Sequence, residues 1–199
     1  MSASHPVPET LAAYASGGLK TGARLVLSVH LRACAACRKQ TERLERLGGA
    51  LLADEPPAAM EAGALARALA ALDAAEPPRR MGLDEAMRQG IWLPLGPGVA
   101  IKRLGRIADP GERLFLIRAA GGRPLPEHGH TGPERLVVLA GAFEDAQGRY
   151  GQGDLVERGP QDRHQPIACE GETCLCISVT EGPLKLSGVA RWVQPMLGV

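Results

Sequence analysis

The sequence predicts two parts, an all-α module at the N-terminus and an all-β barrel or sandwich at the C-terminus. Two shifts along the chain predict it. Residues 1 to about 88 hold nearly all the Ala-Leu-Glu-Arg segments, with Gly and Pro mostly at their ends. From about Gly90 onward, short Val/Ile/Leu runs alternate with Gly-Pro turn clusters. The 199 residues suffice for one large domain or two small ones. The 45% apolar content is ordinary for a globular core, and 3% aromatic content leaves that core to Leu, Ala, Val and Ile. We place the parts at 1–80 and 89–199, with Glu76-Pro77-Pro78-Arg79-Arg80 as the linker between them.

In the first part, Pro8-Glu9-Thr10 before Leu11-Ala12-Ala13-Tyr14 starts a short helix that stops near Gly17-Gly18. A second helix, from about Leu19, carries Leu25, Val26, Val29 and Leu31. Leu44, Leu47, Leu51 and Leu52 continue at helical spacing past two cysteines, until Ala53-Asp54-Glu55-Pro56-Pro57 breaks the pattern. A last helix spans roughly Met60 to Ala75. A helical unit of about 80 residues is small enough to benefit from a metal staple.

That staple is visible as His30-x3-Cys34-x2-Cys37. At 100° per residue, Cys34 lies about 40° round a helix from His30 and Cys37 about 20° the other way, so an unbroken helix puts all three on one face. Thiolate and imidazole suit tetrahedral zinc, whose structural sites have four ligands. The only other His or Cys in the first 120 residues is His5, just ahead of the first helix. Arg32, Arg38, Lys39, Arg43 and Arg46, interleaved with Glu42 and Glu45, read first as a solvated face and second as the flank of a partner surface. An N-terminal histidine followed by H-x3-C-x2-C in a helical domain is similar to the zinc-binding anti-sigma domain family. His5, His30, Cys34 and Cys37 match that family's four ligand positions. The resemblance implies a domain that wedges between the two DNA-binding regions of an extracytoplasmic-function (group IV) sigma factor.

In the second part, strands are expected at 91–95, 99–104, 113–118, 135–142, 154–157, 165–169, 173–179 and near 191–193. Gly96-Pro97-Gly98, Ala119-Ala120-Gly121-Gly122 and Ala146-Gln147-Gly148 separate some of them. Many short strands with regular turns argue for a barrel or sandwich. Within them, Gly122 to Gly141 reads G-x5-H-x-H-x3-E-x6-G and contains His128, His130 and Glu134. His128 and His130 are two apart, so on a strand they point the same way. Gly153 and His164, eleven residues apart, repeat the Gly-to-His spacing of a second motif, with Gly159, Gln161 and Ala168 at its other marked positions. The first stretch matches the first cupin motif throughout and the second matches its partner in part. The resemblance implies a double-stranded β-helix (jelly-roll) barrel. Three histidines and a carboxylate suit zinc, iron, manganese or nickel, and the donor set does not choose among them.

All five histidines of the chain fall at these proposed ligand positions. The remaining cysteines are Cys169, Cys174 and Cys176. The last two share a strand face and read as small core residues, with redox sensing the lesser alternative.

A zinc-binding anti-sigma domain followed by a cupin resembles the ChrR family of anti-sigma factors. The resemblance implies a 1:1 cytoplasmic complex with a sigma factor, broken on exposure to singlet oxygen or related oxidants, and no enzymatic activity. Structural zinc at the first site and zinc or another divalent transition metal in the cupin go with it. Composition agrees on exclusions: 23 basic against 22 acidic residues give no basic excess for gripping nucleic acid. No apolar stretch reaches the roughly 18 residues a membrane helix needs, and no secretory signal is legible, so a reducing cytosol is expected. Two other readings stay open: a metal-dependent, dioxygenase-like cupin enzyme with a helical assembly module, and a DNA-binding zinc module.

Overall fold

The structure, a computed structural model, describes residues 4–74, 83–88, 90–104 and 107–187. The expected linker at 76–80 and the strand expected near 191–193 lie outside them. Four helices occupy the N-terminal part: α1 (Pro8–Ala15), α2 (Thr21–Ala33), α3 (Ala35–Ala53) and α4 (Ala64–Ala74). A short α5 (Leu83–Arg88) leads into the strands. α1 ends as the sequence implies, with Gly17 at φ +78° and the Gly18 N–H reaching back to the Ala13 carbonyl.

One expectation is corrected here. The helix does not run through the cysteines. Cys34 is extended (φ −105°, ψ 103°), ends α2 and caps α3, its sulfur accepting the Cys37 N–H at 3.5 Å. The basic run is therefore divided, with Arg32 on α2 and the rest on α3. Arg38 is more than a solvated side chain: Nη1 donates to the carbonyls of Leu31 and Arg32 at 2.8 and 3.4 Å, satisfying the open end of α2.

The β part is built on a six-stranded antiparallel sheet ordered β1 (Leu93–Gly96), β2 (Val99–Arg103), β3 (Glu112–Ala119), β11 (Cys174–Glu181), β5 (Glu134–Ala140), β8 (Leu155–Arg158). Two three-stranded sheets face it. One is β12 (Leu184–Leu186), β4 (His128–His130) and β9 (Arg163–His164); the other is β10 (Ile167–Ala168), β6 (Ala142–Asp145) and β7 (Gly148–Gly151). The expected strand at 135–142 is really two, split by Gly141 at φ +66°, where a Cβ would come within 2.7 Å of the Thr173 carbonyl oxygen. β7, β9 and β12 are too short to be read from periodicity.

The large sheet is apolar on both faces. Phe115, Leu136, Val138, Cys174 and Cys176 fill the barrel interior, whereas the intervening Leu114, Leu116, Val137, Ile177 and Val179 point outward. Those outward residues join Leu11, Ala23, Val26, Leu27, Leu31 and Cys37 in one core. The buried stripe of α2 thus packs on the barrel wall, so the helices and the barrel share a core. At about 1.5–3 kcal/mol per buried Leu, Ile or Val, this contact is a main source of the module's stability.

The barrel also caps α2. Lys20, its N-cap residue, makes no capping bond with its side chain, whose ammonium donates to Glu181. Instead Asp109 accepts the Thr21 N–H at 2.7 Å, and Glu112 accepts the N–H groups of Gly22 and Ala23 at 2.8 and 2.9 Å. A Cβ on Gly22 would sit 2.9 Å from the Glu112 carboxylate, so glycine is what allows this approach. Glu112→Ala strands these buried amides and should cost about 2 kcal/mol, seen as a lower urea midpoint. An unchanged midpoint would mean that this cap contributes nothing.

Candidate metal centres

Two groups of four side chains converge, and they are the eight residues singled out from the sequence. His5, His30, Cys34 and Cys37 form one, and His128, His130, Glu134 and His164 the other; within each, one donor atom per residue lies within 4.8 Å of every other.

The first group ties three helices together. His5 precedes α1, His30 lies on the last turn of α2, Cys34 is the hinge and Cys37 opens α3. His5 Nδ1 lies 3.5 Å from the Cys34 sulfur and 3.3 Å from that of Cys37. Ligands at about 2.3 Å (sulfur) and 2.0–2.1 Å (nitrogen) from one tetrahedral ion have about this spacing. His30 is fully buried; its Nδ1 donates to the Gly153 carbonyl at 2.7 Å, leaving Nε2 buried with no protein partner. Burial lowers the His30 pKa, so the ring is neutral and able to ligate. Burial and the neighbouring Cys34 push the Cys37 thiol up to about 12. Only a cation at this position makes it a thiolate at neutral pH.

The second group is assembled across the barrel. His128 and His130 face inward from β4, and His164 on β9 stands directly opposite His128 in the sheet register. Glu134 opens β5 on the facing sheet. His128 Nδ1 donates to the Pro126 carbonyl at 2.8 Å and His164 Nδ1 donates to the Asp145 carboxylate at 3.1 Å, so both rings turn Nε2 to the centre. Those two Nε2 atoms are 3.0 Å apart, and both nitrogens of buried His130 lack a hydrogen-bond partner. Glu134 accepts the Ser178 hydroxyl on Oε1 at 2.7 Å and presents Oε2 to His130 and His164 at 3.6 and 3.7 Å. Facing ring nitrogens, imidazole atoms without hydrogen-bond partners and a buried carboxylate fit a cation.

Titration follows from these surroundings. Burial lowers the pKa of His128 and of His130. At Glu134 burial pushes upward, but His164, His128 and His130 outweigh it and hold the carboxyl at about 2. His164 is the exception: burial opposes its proton, yet the Glu134 and Asp145 carboxylates raise its pKa above 6.5. The metal-free protein therefore keeps a proton on His164 at pH values where a free imidazole has lost it. Metal uptake near that pH must expel this proton, so affinity should climb with pH and level off above the raised pKa. Calorimetry in two buffers of different ionisation enthalpy checks this. Identical heats in both would show that no proton is released.

Sequence reasoning missed the supports of these residues: Asp145, Arg158, Ser178 and the Pro126 carbonyl. Asp145, Arg158 and Ser178 carry no local pattern, since each meets its partner only after strands pair; the Pro126 carbonyl lies two residues before His128, but a backbone acceptor leaves no mark in the sequence. The Gly153 carbonyl was missed too, though Gly153 itself is a marked position of the second motif. Cys174 and Cys176 are free, buried in the barrel core and 3.6 Å apart at sulfur, beside Leu136 and Phe143. Among the described residues no helix is long and apolar enough to cross a membrane.

Comparison with known proteins matches this architecture. Residues 85–185 match the ChrR cupin-like domain family. The whole chain is 32% identical over 211 aligned positions to the anti-sigma-E factor ChrR of Cereibacter sphaeroides, covering 98% of each chain. A chain of the crystal structure of Rhodobacter sphaeroides SigE in complex with the anti-sigma ChrR superposes with a TM-score of 0.76 at 34% identity, covering 89% of this chain and 98% of that one. With near full-length similarity and the same helical-plus-cupin architecture, the chain belongs to the ChrR family.

Proposed function

We propose that the protein is an anti-sigma factor, a regulator rather than an enzyme, that holds an extracytoplasmic-function sigma factor in a 1:1 cytoplasmic complex. One structural observation carries this beyond family membership: the second half of α3 and all of α4 are uncovered and carry large apolar side chains exposed. Leu47, Leu51 and Leu52 on α3 are exposed, as are Met60 and then Leu65, Leu69 and Leu72, which share one face of α4. No residue of α4 is buried. Surfaces of this kind mark sites for a protein partner. The relative from C. sphaeroides is named an anti-sigma-E factor, and the R. sphaeroides ChrR was crystallised with SigE.

In this reading His5, His30, Cys34 and Cys37 hold structural zinc, which fixes the angles between α1, α2 and α3 and so presents α3 and α4 to the partner. His128, His130, Glu134 and His164 hold zinc or another divalent transition metal. When bound, that ion supplies a centre whose ligand sphere responds to singlet oxygen or related oxidants. Division of labour follows the proposed limits 1–80 and 89–199, inhibition by the first and response by the second. The full chain, co-expressed with an extracytoplasmic-function sigma factor from the same cell, should co-purify with its partner at 1:1 and block transcription from that factor's promoter. Failure of the purified chain to slow such transcription would favour the cupin-enzyme reading.

A further inference from the structure

We propose that strand β8 is a positioning element shared by both metal centres, so that metal bound at one raises the affinity of the other. This rests on the metal assignment of both clusters given above.

At its leading end β8 holds two donors of the first centre. The Gly153 carbonyl orients His30 at 2.7 Å. The Leu155 N–H donates to the Ser4 carbonyl at 3.1 Å, and the Ser4 N–H donates to Asp154 Oδ1 at 3.0 Å. Two residues past His5, the Val7 N–H donates to Glu157 Oε2 at 2.7 Å, and Glu157 Oε1 accepts the Thr10 hydroxyl at 2.7 Å. His5 is thus bracketed by residues bonded to β8 and its leading turn. The strand is open to this because it is the edge of the six-stranded sheet. Gly153 allows the close approach: it lies at φ +88°, and a Cβ there would stand 3.0 Å from Ala33 of α2.

At its trailing end β8 holds two donors of the second centre. Arg158 donates to Asp145 Oδ2 at 2.8 Å, the oxygen that also accepts His164 Nδ1. Arg158 also stands opposite Glu134 in the β5–β8 register. The side chain of Asp145 is fully buried and that of Arg158 nearly so, and the Tyr150 hydroxyl adds a contact to Arg158 at 3.1 Å. A metal that fixes His164 and Glu134 fixes Asp145 and Arg158. Four residues of extended chain then carry that order to the Gly153 carbonyl and Leu155 amide. The cost of ordering β8 is met once, so the second ion binds to a prepared site.

Cobalt(II) titration of the metal-free full chain tests this. A thiolate charge-transfer band, absent from Cys34→Ser/Cys37→Ser, reports the first centre, and weaker ligand-field bands report the second. Disabling the second centre with His130→Ala should weaken cobalt at the first by about fivefold or more, and Cys34→Ser/Cys37→Ser should weaken the second by the same factor, since coupling between binding sites is reciprocal. Asp145→Asn should weaken the second centre about 10–100-fold. In that background, His130→Ala should no longer change affinity at the first centre. Arg163→Ala, an exposed change on β9, should leave the coupling intact and so control for general damage to the strand. Equal affinities with and without the other centre, in folded variants that bind cobalt, would overturn the coupling and leave the metal assignment standing. No cobalt at either cluster of the wild-type chain would overturn both.

Discussion

Changing Leu65, Leu69 and Leu72 together to aspartate should weaken capture of the sigma factor by the full chain at least about a thousandfold. The reasoning is additive in burial. Each leucine, if covered by the partner, contributes roughly 1.5–3 kcal/mol, and each 1.4 kcal/mol is about a factor of ten in affinity. A carboxylate at the same place adds the penalty of an unpaired buried charge. The folded chain should not suffer, because α4 buries none of its residues in the free protein. Thermal midpoint and metal content are expected to match wild type, while a titration by fluorescence anisotropy with labelled sigma factor shows the loss. Undiminished binding by the triple variant would remove α4 from the interface, and with it the observation on which the proposed function stands.

Cys37→Ser should abolish metal binding at the first centre, unfold the arrangement of α1, α2 and α3 and eliminate sigma capture with it. A serine hydroxyl does not deprotonate at neutral pH, so one of four donors is lost. An ion held by these four donors would join a segment ahead of α1, the last turn of α2, the hinge at Cys34 and the start of α3. Without it, fully buried His30 keeps a ring nitrogen with no partner. At free zinc a thousandfold above its dissociation constant, a site present only in the folded chain contributes about 4 kcal/mol. Chelation of the wild-type chain should lower its thermal midpoint to that of Cys37→Ser, and added zinc should restore only the wild type. The shared core with the barrel should survive in part, so the variant is expected to keep its strand signal in circular dichroism while losing helix. A midpoint that ignores both chelator and the substitution would show that no ion staples these helices.

The cysteine hinge shows how far local sequence reaches. Helical spacing predicts one face for His30, Cys34 and Cys37 if the helix is continuous, but the helix breaks at Cys34 and the donors still converge. The residues that converge were legible because metal chemistry admits few residue types and all five histidines fall in the two groups. The route of the backbone between ligands was not, since helical spacing treats Cys34 as one more helix position and does not weigh the cap that its sulfur offers the Cys37 amide, or the bond from Arg38 to the carbonyls behind it.

What the sequence by itself determined is the division into helices and strands, the two donor sets and the family. These follow from composition, period and short-range spacing, which are properties of neighbours along the chain. Only the tertiary structure decided how the two parts meet. Runs such as Leu114-Phe115-Leu116 are apolar on both faces of their strand, and the outer face is buried by α2. Asp109 and Glu112 cap a helix some 90 residues away, and Asp145 and Arg158 set the ring of His164. Each of these is one charged residue whose only distinguishing feature is its partner in space. The reason is physical: a buried polar group must find a partner wherever the fold brings one, and no local pattern records which one it finds.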